Sequence, residues 1–180
     1  MRPVSGRSTE LGPKKLFEFA LRALARKPHT VAELRKKLSR RCADEREVAD
    51  VLQRLLAYRY VDDGQVAKSY SEFRRDCTLL GRRRVLNELL RRGVDQAVAE
   101  SAVAEAYQNT DEVELARAFL RRKLCRRLSE VRVESPKQMA RLYAALARAG
   151  FGAHATSRAL SSLSADPELL DAVEVATAEA

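Results

Sequence analysis

The chain has 180 residues, enough for one domain or for a short array of small modules with a buried core. Its 34 basic residues outnumber its 25 acidic residues, and the net charge of +9 favours an anionic partner, such as nucleic acid or an acidic protein surface, over a charge that serves solubility alone. No apolar run is long enough to cross a bilayer, and residues 1–13 lack the apolar core of a signal peptide.

Three cysteines, Cys42, Cys77 and Cys125, lie far apart in the sequence and cannot all pair with one another. Without a signal peptide, this pattern predicts a reducing compartment, most simply the cytoplasm. We expect the cysteines to be small residues of the core.

Residues 1–13 combine Pro, Gly and Ser without hydrophobic periodicity, and we expect this lead-in to be disordered. Residues 14–61 predict a first repeat of three helices. An apolar stripe from Leu16 to Leu24 marks the first helix, and Pro28 ends it.

Capping side chains mark the other two helices of this repeat. Thr30 and Glu33 have the spacing of a capping box, and Asp44 precedes the third apolar stripe. No segment alternates with period two for long enough to predict a strand. The sequence therefore favours an all-α fold.

Residues 62–109 predict a second repeat, in which Asp62 and Asp63 stand where a helix cap is needed. The apolar stripe of its first helix consists of Val66, Tyr70, Phe73 and Cys77. A shorter helix follows Gly81, and its inward-facing residues are predicted to be Val85, Leu86, Leu89 and Leu90. Asp95 is the predicted cap of the third helix.

Residues 110–163 predict a third repeat, which opens at Thr110. Ser135 followed by Pro136 has the cap-then-proline order that begins a helix. The last segment, residues 164–180, contains five acidic residues and no basic residue. We expect it to form a short acidic C-terminal helix.

The repeat is visible at the end of each middle helix, at Cys42, Gly93 and Gly150, where a leucine stands four residues earlier. These ends are 51 residues (93 minus 42) and 57 residues (150 minus 93) apart. Periods of this size indicate stacked units, and the glycines suit a left-handed helix end. We predict an elongated tandem array of three three-helix repeats in a monomer.

Positive charge is concentrated in the second repeat and the start of the third. Arginine can grip phosphate or carboxylate groups through two hydrogen bonds, which lysine does less well. We expect a set of cations, acting as a group, to bind the partner: Arg74, Arg75, Arg82, Arg83, Arg84, Arg91, Arg92, Arg117, Arg121, Arg122, Lys123 and Arg126.

Motifs of catalysis are missing from the sequence, which has no phosphate-binding loop, dinucleotide fingerprint or His-Glu-x-x-His zinc motif. His29 and His154 lie next to helix starts with no second ligand nearby, and we expect both to face solvent. The sequence predicts no enzyme, no metal site and no cofactor.

Tyr58, Tyr60 and Tyr70 lie near the predicted junction of the first two repeats. Aromatic rings close to arginines can stack on unpaired bases. Packing between repeats is the favoured interpretation, above all for Tyr70, which falls on an apolar stripe.

Two segments, residues 60–70 (YVDDGQVAKSY) and 81–95 (GRRRVLNELLRRGVD), resemble the central signature of the RecX family. Glu33 with Leu34 in the first repeat and Arg122 with Lys123 in the third fall where that family has similar residues. The resemblance extends over about residues 14–163, and its signature positions are Asp62, Asp63, Tyr70, Gly81, Glu88, Leu89, Gly93, Gly150 and Phe151.

The resemblance implies tandem three-helix repeats that bind the RecA filament on single-stranded DNA and limit its extension, ATP hydrolysis and strand exchange. It also implies weak, salt-sensitive binding of single-stranded DNA and a role in DNA repair, recombination and the SOS response. Two other classes stay open. A helix-turn-helix regulator predicts a sequence-specific duplex site, and a helical interaction scaffold predicts no salt-sensitive binding of nucleic acid.

Overall fold

The structure, a computed structural model, describes residues 11–124, 133, 135–161 and 163. Within these residues the chain forms nine helices, and the predicted all-α class is confirmed. Residues 1–10 of the predicted lead-in and the predicted helix over 164–180 lie outside the described residues, whereas Pro13, predicted to belong to the disordered lead-in, is the first residue of α1. The helices are α1 (Pro13–Arg26), α2 (Val31–Leu38), α3 (Glu45–Ala57), α4 (Asp63–Asp76), α5 (Arg82–Arg91), α6 (Gln96–Tyr107), α7 (Glu112–Leu124), α8 (Pro136–Ala149) and α9 (Ala153–Ser161).

Three predicted caps are confirmed. At α2, the Thr30 hydroxyl accepts a hydrogen bond from the Glu33 N–H (3.1 Å), and the Glu33 carboxylate accepts one from the Thr30 N–H (3.2 Å). Asp44 caps α3 through the N–H of the second helical residue at 2.8 Å. Asp95 caps α6 in the same way at 2.9 Å. These side chains satisfy backbone donors that a helix start leaves without partners.

The residues that precede α7 and α8 differ in how they cap the helix. The cap of α7 is Asp111, whose carboxylate accepts the N–H groups of Val113 (2.8 Å) and Glu114 (3.2 Å). Thr110, where the third repeat is predicted to open, donates its own N–H to the carbonyl of the last residue of α6. Helix α8 begins at Pro136 as predicted, but the Ser135 side chain makes no capping hydrogen bond.

The described residues divide into two compact units. Unit 1 combines the residues up to Lys68 with Leu89–Glu100, and unit 2 combines Ser69–Glu88 with the residues from Ser101 onward. Helices α4, α5 and α6 each contribute to both units. In unit 1, helices α1, α2 and α3 pack against one another, and in unit 2 both α7 and α8 pack on α9.

The core of helices α1–α3 in unit 1 consists of aliphatic side chains from each apolar stripe. Its members include Leu16 and Ala20 of α1, Leu34 and Leu38 of α2, and Val48, Val51, Leu52 and Leu55 of α3. Cys42 also belongs to this core, as predicted. Removal of these side chains from water is the main force that holds the three helices together.

The buried face of α4 differs from the predicted apolar stripe. Its buried residues are Ala67 and Ser71, whereas Phe73 is 54% exposed and Cys77 is also exposed. The prediction that Phe73 and Cys77 face the core was wrong, because α4 packs through small side chains that the apolar pattern does not mark. Leu90 of α5, predicted to face inward, is 37% exposed. Cys125 lies outside the described residues.

Candidate interaction surface

The end of α5 meets the start of α2 within unit 1. The Thr30 hydroxyl donates a hydrogen bond to the Arg92 carbonyl at 2.7 Å. The Arg92 guanidinium binds both carboxylate oxygens of Glu33, at 2.8 and 3.1 Å. Gly93 has a φ of +78°, and a Cβ at this position would collide with the Cβ of Ala32. Glycine therefore supplies both the left-handed helix end and the close approach of the two helices.

Charge and hydrogen bonding at this junction set the state of Glu33. Burial raises the pKa of its carboxyl, but the hydrogen bonds from Arg92 and from the Thr30 backbone outweigh burial and lower the pKa to about 2. Glu33 is therefore ionised over the whole physiological range, and Arg92 stabilises unit 1 through this ion pair.

The two signature aspartates serve different helices. Asp62 caps its own helix, α4, by accepting the N–H of Gln65 at 3.0 Å. Asp63 instead accepts the N–H of Val31, the first residue of α2, at 2.9 Å. Two side chains thus satisfy backbone N–H groups at the start of α2: that of its cap residue Thr30, and that of Asp63, which follows Val31 by 32 residues in the chain.

His29 is buried, with 3% of its surface exposed, and the predicted solvent-facing position is wrong. Its Nδ1 lies 3.4 Å from the Glu33 carboxylate, and its Nε2 lies 3.2 Å from Nζ of Lys37. Burial and the charge of Lys37 lower the pKa of the imidazole. His29 precedes the cap residue of α2, a position from which a side chain folds back over the first helical turn. His154 is exposed, as predicted.

The end of α8 meets the start of α5 within unit 2. The N–H of Gly81 donates to the Ala149 carbonyl at 2.8 Å, and the N–H of Arg83 donates to the Gly150 carbonyl at 3.3 Å. A Cβ at Gly81 would collide with the Gly150 carbonyl, and a Cβ at Gly150, where φ is +90°, would collide with the backbone N of Arg84. Arg84 also donates to the Arg148 carbonyl at 2.9 Å. The carbonyl end of one helix dipole faces the N–H end of another, an arrangement that is electrostatically favourable.

Arg74 and Arg84 share one acceptor, the half-buried carboxylate of Glu88. Arg74 lies 2.7 Å from this carboxylate and Arg84 lies 3.0 Å from it. The Tyr70 hydroxyl donates to Glu88 at 2.8 Å and accepts from Arg74 at 2.9 Å. Burial opposes ionisation of Glu88, but Tyr70 and the two arginines lower its pKa overall. Tyr70 is therefore part of a polar network in unit 2 rather than of an apolar stripe.

Three other predicted cations of unit 2 also bind groups of the protein itself. Arg75 pairs with Asp76 at 2.6 Å and donates to the Ala106 carbonyl. Arg122 donates to the Cys77 carbonyl at 2.8 Å and to the Thr78 carbonyl, just beyond the end of α4. Arg117 pairs with Glu114 at 2.5 Å. With Arg74, Arg84 and Arg92, these residues form the internal arginines.

Arg84 and Arg122 are exposed too, but the remaining predicted cations within the described residues are exposed without a hydrogen bond or ion pair from their side chains to a described residue: Arg82, Arg83, Arg91, Arg121 and Lys123. We call these five residues the exposed cations. None of their side chains forms an ion pair with a described residue. Arg82 lies over the ring of Tyr107, with 6.0 Å to the centroid. Arg126 lies outside the described residues.

The two remaining signature positions are core residues. Leu89 is fully buried, and Phe151 is 3% exposed, with its ring edge-on to Phe119 at a centroid distance of 5.9 Å. Over residues 11–124, 133, 135–161 and 163, no group of three His, Cys, Asp or Glu side chains could hold a metal ion. None of the helices in the described part of the chain has both the length and the apolar character needed to cross a membrane.

A family model and two solved structures define the class of protein to which the chain belongs. A sequence model described as the first three-helix domain of RecX matches residues 17–55. The fold is similar to the crystal structure of RecX from Lactobacillus salivarius, with a TM-score of 0.68 and 21% identity over 84% of this chain and 96% of that one. A second RecX crystal structure gives a TM-score of 0.63 and 20% identity over 83% of this chain and 71% of that one. The chain is thus an all-α helical repeat protein with the RecX fold.

Curated relatives named "Regulatory protein RecX" extend the match beyond the fold. The relative from Mycobacterium sp. (strain KMS) is 37% identical over 74% of this chain and 73% of its own length. The relative from Treponema pallidum (strain Nichols) is 32% identical over 84% and 78%, and the one from Caldanaerobacter subterraneus is 32% identical over 61% and 55%. The chain belongs to the RecX family of regulatory proteins.

Proposed function

We propose that this protein is a non-catalytic modulator of the RecA recombinase that binds the RecA filament on single-stranded DNA and limits its extension, ATP hydrolysis and strand exchange. Membership of a family of regulatory proteins named RecX supports this proposal. The protein would act as a monomer in the cytoplasm, in the regulation of DNA repair, recombination and the SOS response.

One observation carries the proposed mechanism: arginines that look alike in the sequence divide into internal arginines and exposed cations. Arg74, Arg84 and Arg92 already bind carboxylates of the protein. An arginine already bound to a carboxylate has fewer donors left for an external acid, and its charge is partly compensated. Within the described residues, no carboxylate pairs with the exposed cations, and their donors suit acidic protein groups and phosphates.

The mechanism would be steric and electrostatic. Arg82 and Arg83 stand in the first turn of α5, and Arg121 and Lys123 stand in the last turn of α7, all in unit 2. These side chains would dock on acidic surface of the filament and on nearby phosphate, and the bound protein would block addition of further RecA subunits. Several weak contacts to a repeating filament would add up through avidity. Direct binding to single-stranded DNA would be weak and would fall steeply with salt.

The test is ATP hydrolysis by RecA on single-stranded DNA, with the full chain added at substoichiometric concentrations. We expect the rate of ATP hydrolysis to fall by a larger fraction than the fraction of RecA subunits that the added protein could occupy one to one. One bound molecule at a filament end would stop the addition of many later subunits. An unchanged rate, together with no co-sedimentation of the protein with filaments, would rule the proposal out. A raised rate would keep RecA as the partner and reverse the sign of the regulation.

A further inference from the structure

Helix α3 is followed by three consecutive exposed residues, Tyr58, Arg59 and Tyr60, which we call the tyrosine turn. The two tyrosines are 63% and 55% exposed, and neighbouring Leu56 is 44% exposed. The tyrosine rings lie 6.1 Å apart between centroids and are inclined at 54°. The favoured sequence interpretation, that Tyr58 and Tyr60 pack between repeats, does not account for this exposure within unit 1.

The backbone holds the tyrosine turn in an unusual conformation. Arg59 has a φ of +55°, in the left-handed region that glycine normally occupies at a helix end. The N–H of Arg59 bonds to the Leu56 carbonyl and the N–H of Tyr60 bonds to the Leu55 carbonyl, both at 2.9 Å. Leu55 before the turn and Val61 after it are buried, so the exposed segment is fixed at both ends. These two hydrogen bonds form a Schellman motif, in which a residue other than glycine or asparagine is uncommon at the left-handed position.

The chemistry of the turn suits a flat, anionic ligand. Two exposed aromatic side chains flank a guanidinium in sequence, and no described residue forms an ion pair with that guanidinium. Arg54 and Arg59 are the only charged residues between Asp50 and Asp62, so the turn itself carries one positive charge, with Asp62 and Asp63 directly after Val61. Single-stranded nucleic acid offers bases that stack on aromatic rings and phosphates that bind arginine. A protein partner would be favoured by a wider aliphatic patch, but Leu56 is the one exposed large aliphatic residue of this segment.

We propose that the tyrosine turn is a stacking site for unpaired bases of single-stranded nucleic acid, with Arg59 bound to an adjacent phosphate. The site belongs to unit 1 and is separate in sequence from the exposed cations of α5 and α7. Binding of bases at the tyrosine turn does not require RecA. An experiment without RecA therefore tests this site, and the RecA ATP hydrolysis experiment tests the proposed regulation separately.

Binding to the protein alone tests the site, by fluorescence anisotropy of a labelled oligothymidine and of an abasic oligonucleotide of the same length. The abasic strand keeps the phosphates and removes the bases. The wild-type chain should bind oligothymidine at least about tenfold more tightly than the abasic strand, because stacking on each ring strengthens binding by roughly that factor. The Y58A/Y60A variant should lose this preference, while its affinity for the abasic strand stays unchanged.

The Y58F/Y60F variant is the matched control, because it keeps both rings and removes only the hydroxyl groups. It should retain the preference for bases. An oligouridine of the same length distinguishes RNA from DNA as the better ligand. The R59G variant relaxes the left-handed backbone and removes one cation, so the slope of log affinity against log salt should fall by about one for a lost phosphate contact.

Three outcomes would overturn the proposal. The first is a wild-type chain that binds neither oligonucleotide or does not distinguish them. The second is a Y58A/Y60A variant that keeps the full preference for bases with unchanged circular dichroism. The third is an equal loss of binding in Y58A/Y60A and Y58F/Y60F, which would assign the effect to the hydroxyl groups instead of to stacking.

Discussion

Two helix junctions of this protein have the same geometry and different chemistry. In unit 1, the cap residue of α2 donates to the carbonyl that precedes Gly93, from Thr30 to Arg92 at 2.7 Å. In unit 2, the residue before α5 donates to the carbonyl that precedes Gly150, from Gly81 to Ala149 at 2.8 Å. The first junction uses a hydroxyl and adds an ion pair, whereas the second uses backbone N–H groups and two glycines.

The difference shows that a repeated contact between helix ends does not need repeated side chains. A backbone junction requires the absence of a Cβ, so it should be sensitive to the size of a substitution and little affected by pH. A charged junction should respond to pH and to the loss of one partner. Stability measurements can separate the two types.

The largest effect is expected from Gly150→Ala. The new methyl would collide with the backbone of Arg84, and φ at this position is +90°. Overpacking and left-handed strain together should lower the free energy of unfolding by about 3 kcal/mol or more, measured by urea denaturation. Gly12→Ala is the control, since a Cβ there meets no atom within 4 Å. Equal stability of the two variants would contradict the tight backbone junction.

A smaller loss is expected from Arg92→Ala in unit 1. This change removes both hydrogen bonds to Glu33 and leaves a half-buried carboxylate without its charged partner. The free energy of unfolding should fall by about 2 to 3 kcal/mol. Arg91→Ala is the matched control, because Arg91 is exposed on the same helix and should cost less than about 0.5 kcal/mol. A similar loss in both variants would mean that the ion pair contributes little.

The smallest effect is the pH dependence of the charged junction. The pKa of Glu33 is lowered in the folded state to about 2 from 4.5, so its contribution is present above pH 4.5 and is lost as the pH falls towards 2. With partial solvent contact taken into account, the loss should be about 2 kcal/mol. Urea denaturation at a series of pH values should show a steeper loss between pH 4.5 and 2 for the wild-type chain than for Glu33→Gln. Parallel curves would contradict this role of Glu33.

Local patterns predicted much of the fold. The caps Thr30, Asp44 and Asp95 and the left-handed turns at Gly93 and Gly150 depend on residues close in sequence, and each was predicted from short spacing rules. The face of α4 could not be predicted in this way, because Ala67 and Ser71 carry no strong apolar signal. The prediction that His29 faces solvent was wrong, because its burial depends on how the preceding turn folds back over α2.

The division of the arginines could not be predicted from sequence either. The partner of Arg92 is Glu33, 59 residues away, and Arg122 binds a carbonyl 45 residues away. Helical spacing shows which arginines share a face, but it does not show whether another segment of the chain occupies that face. The set of candidate partner-binding residues can therefore be reduced only once the tertiary structure is known.

The central claim is that the exposed cations of unit 2, and not positive charge in general, restrain RecA. The most direct measurement compares RecA ATP hydrolysis on single-stranded DNA in the presence of two charge-matched variants. The first, R82E/R83E/R121E/K123E, should lose inhibition and keep wild-type helicity. The second, K14E/K15E/K36E/R40E, reverses four other basic residues, which lie on the surface of unit 1, and should inhibit as the wild-type chain does. Full inhibition by the first variant, or equal loss in both, would contradict the account.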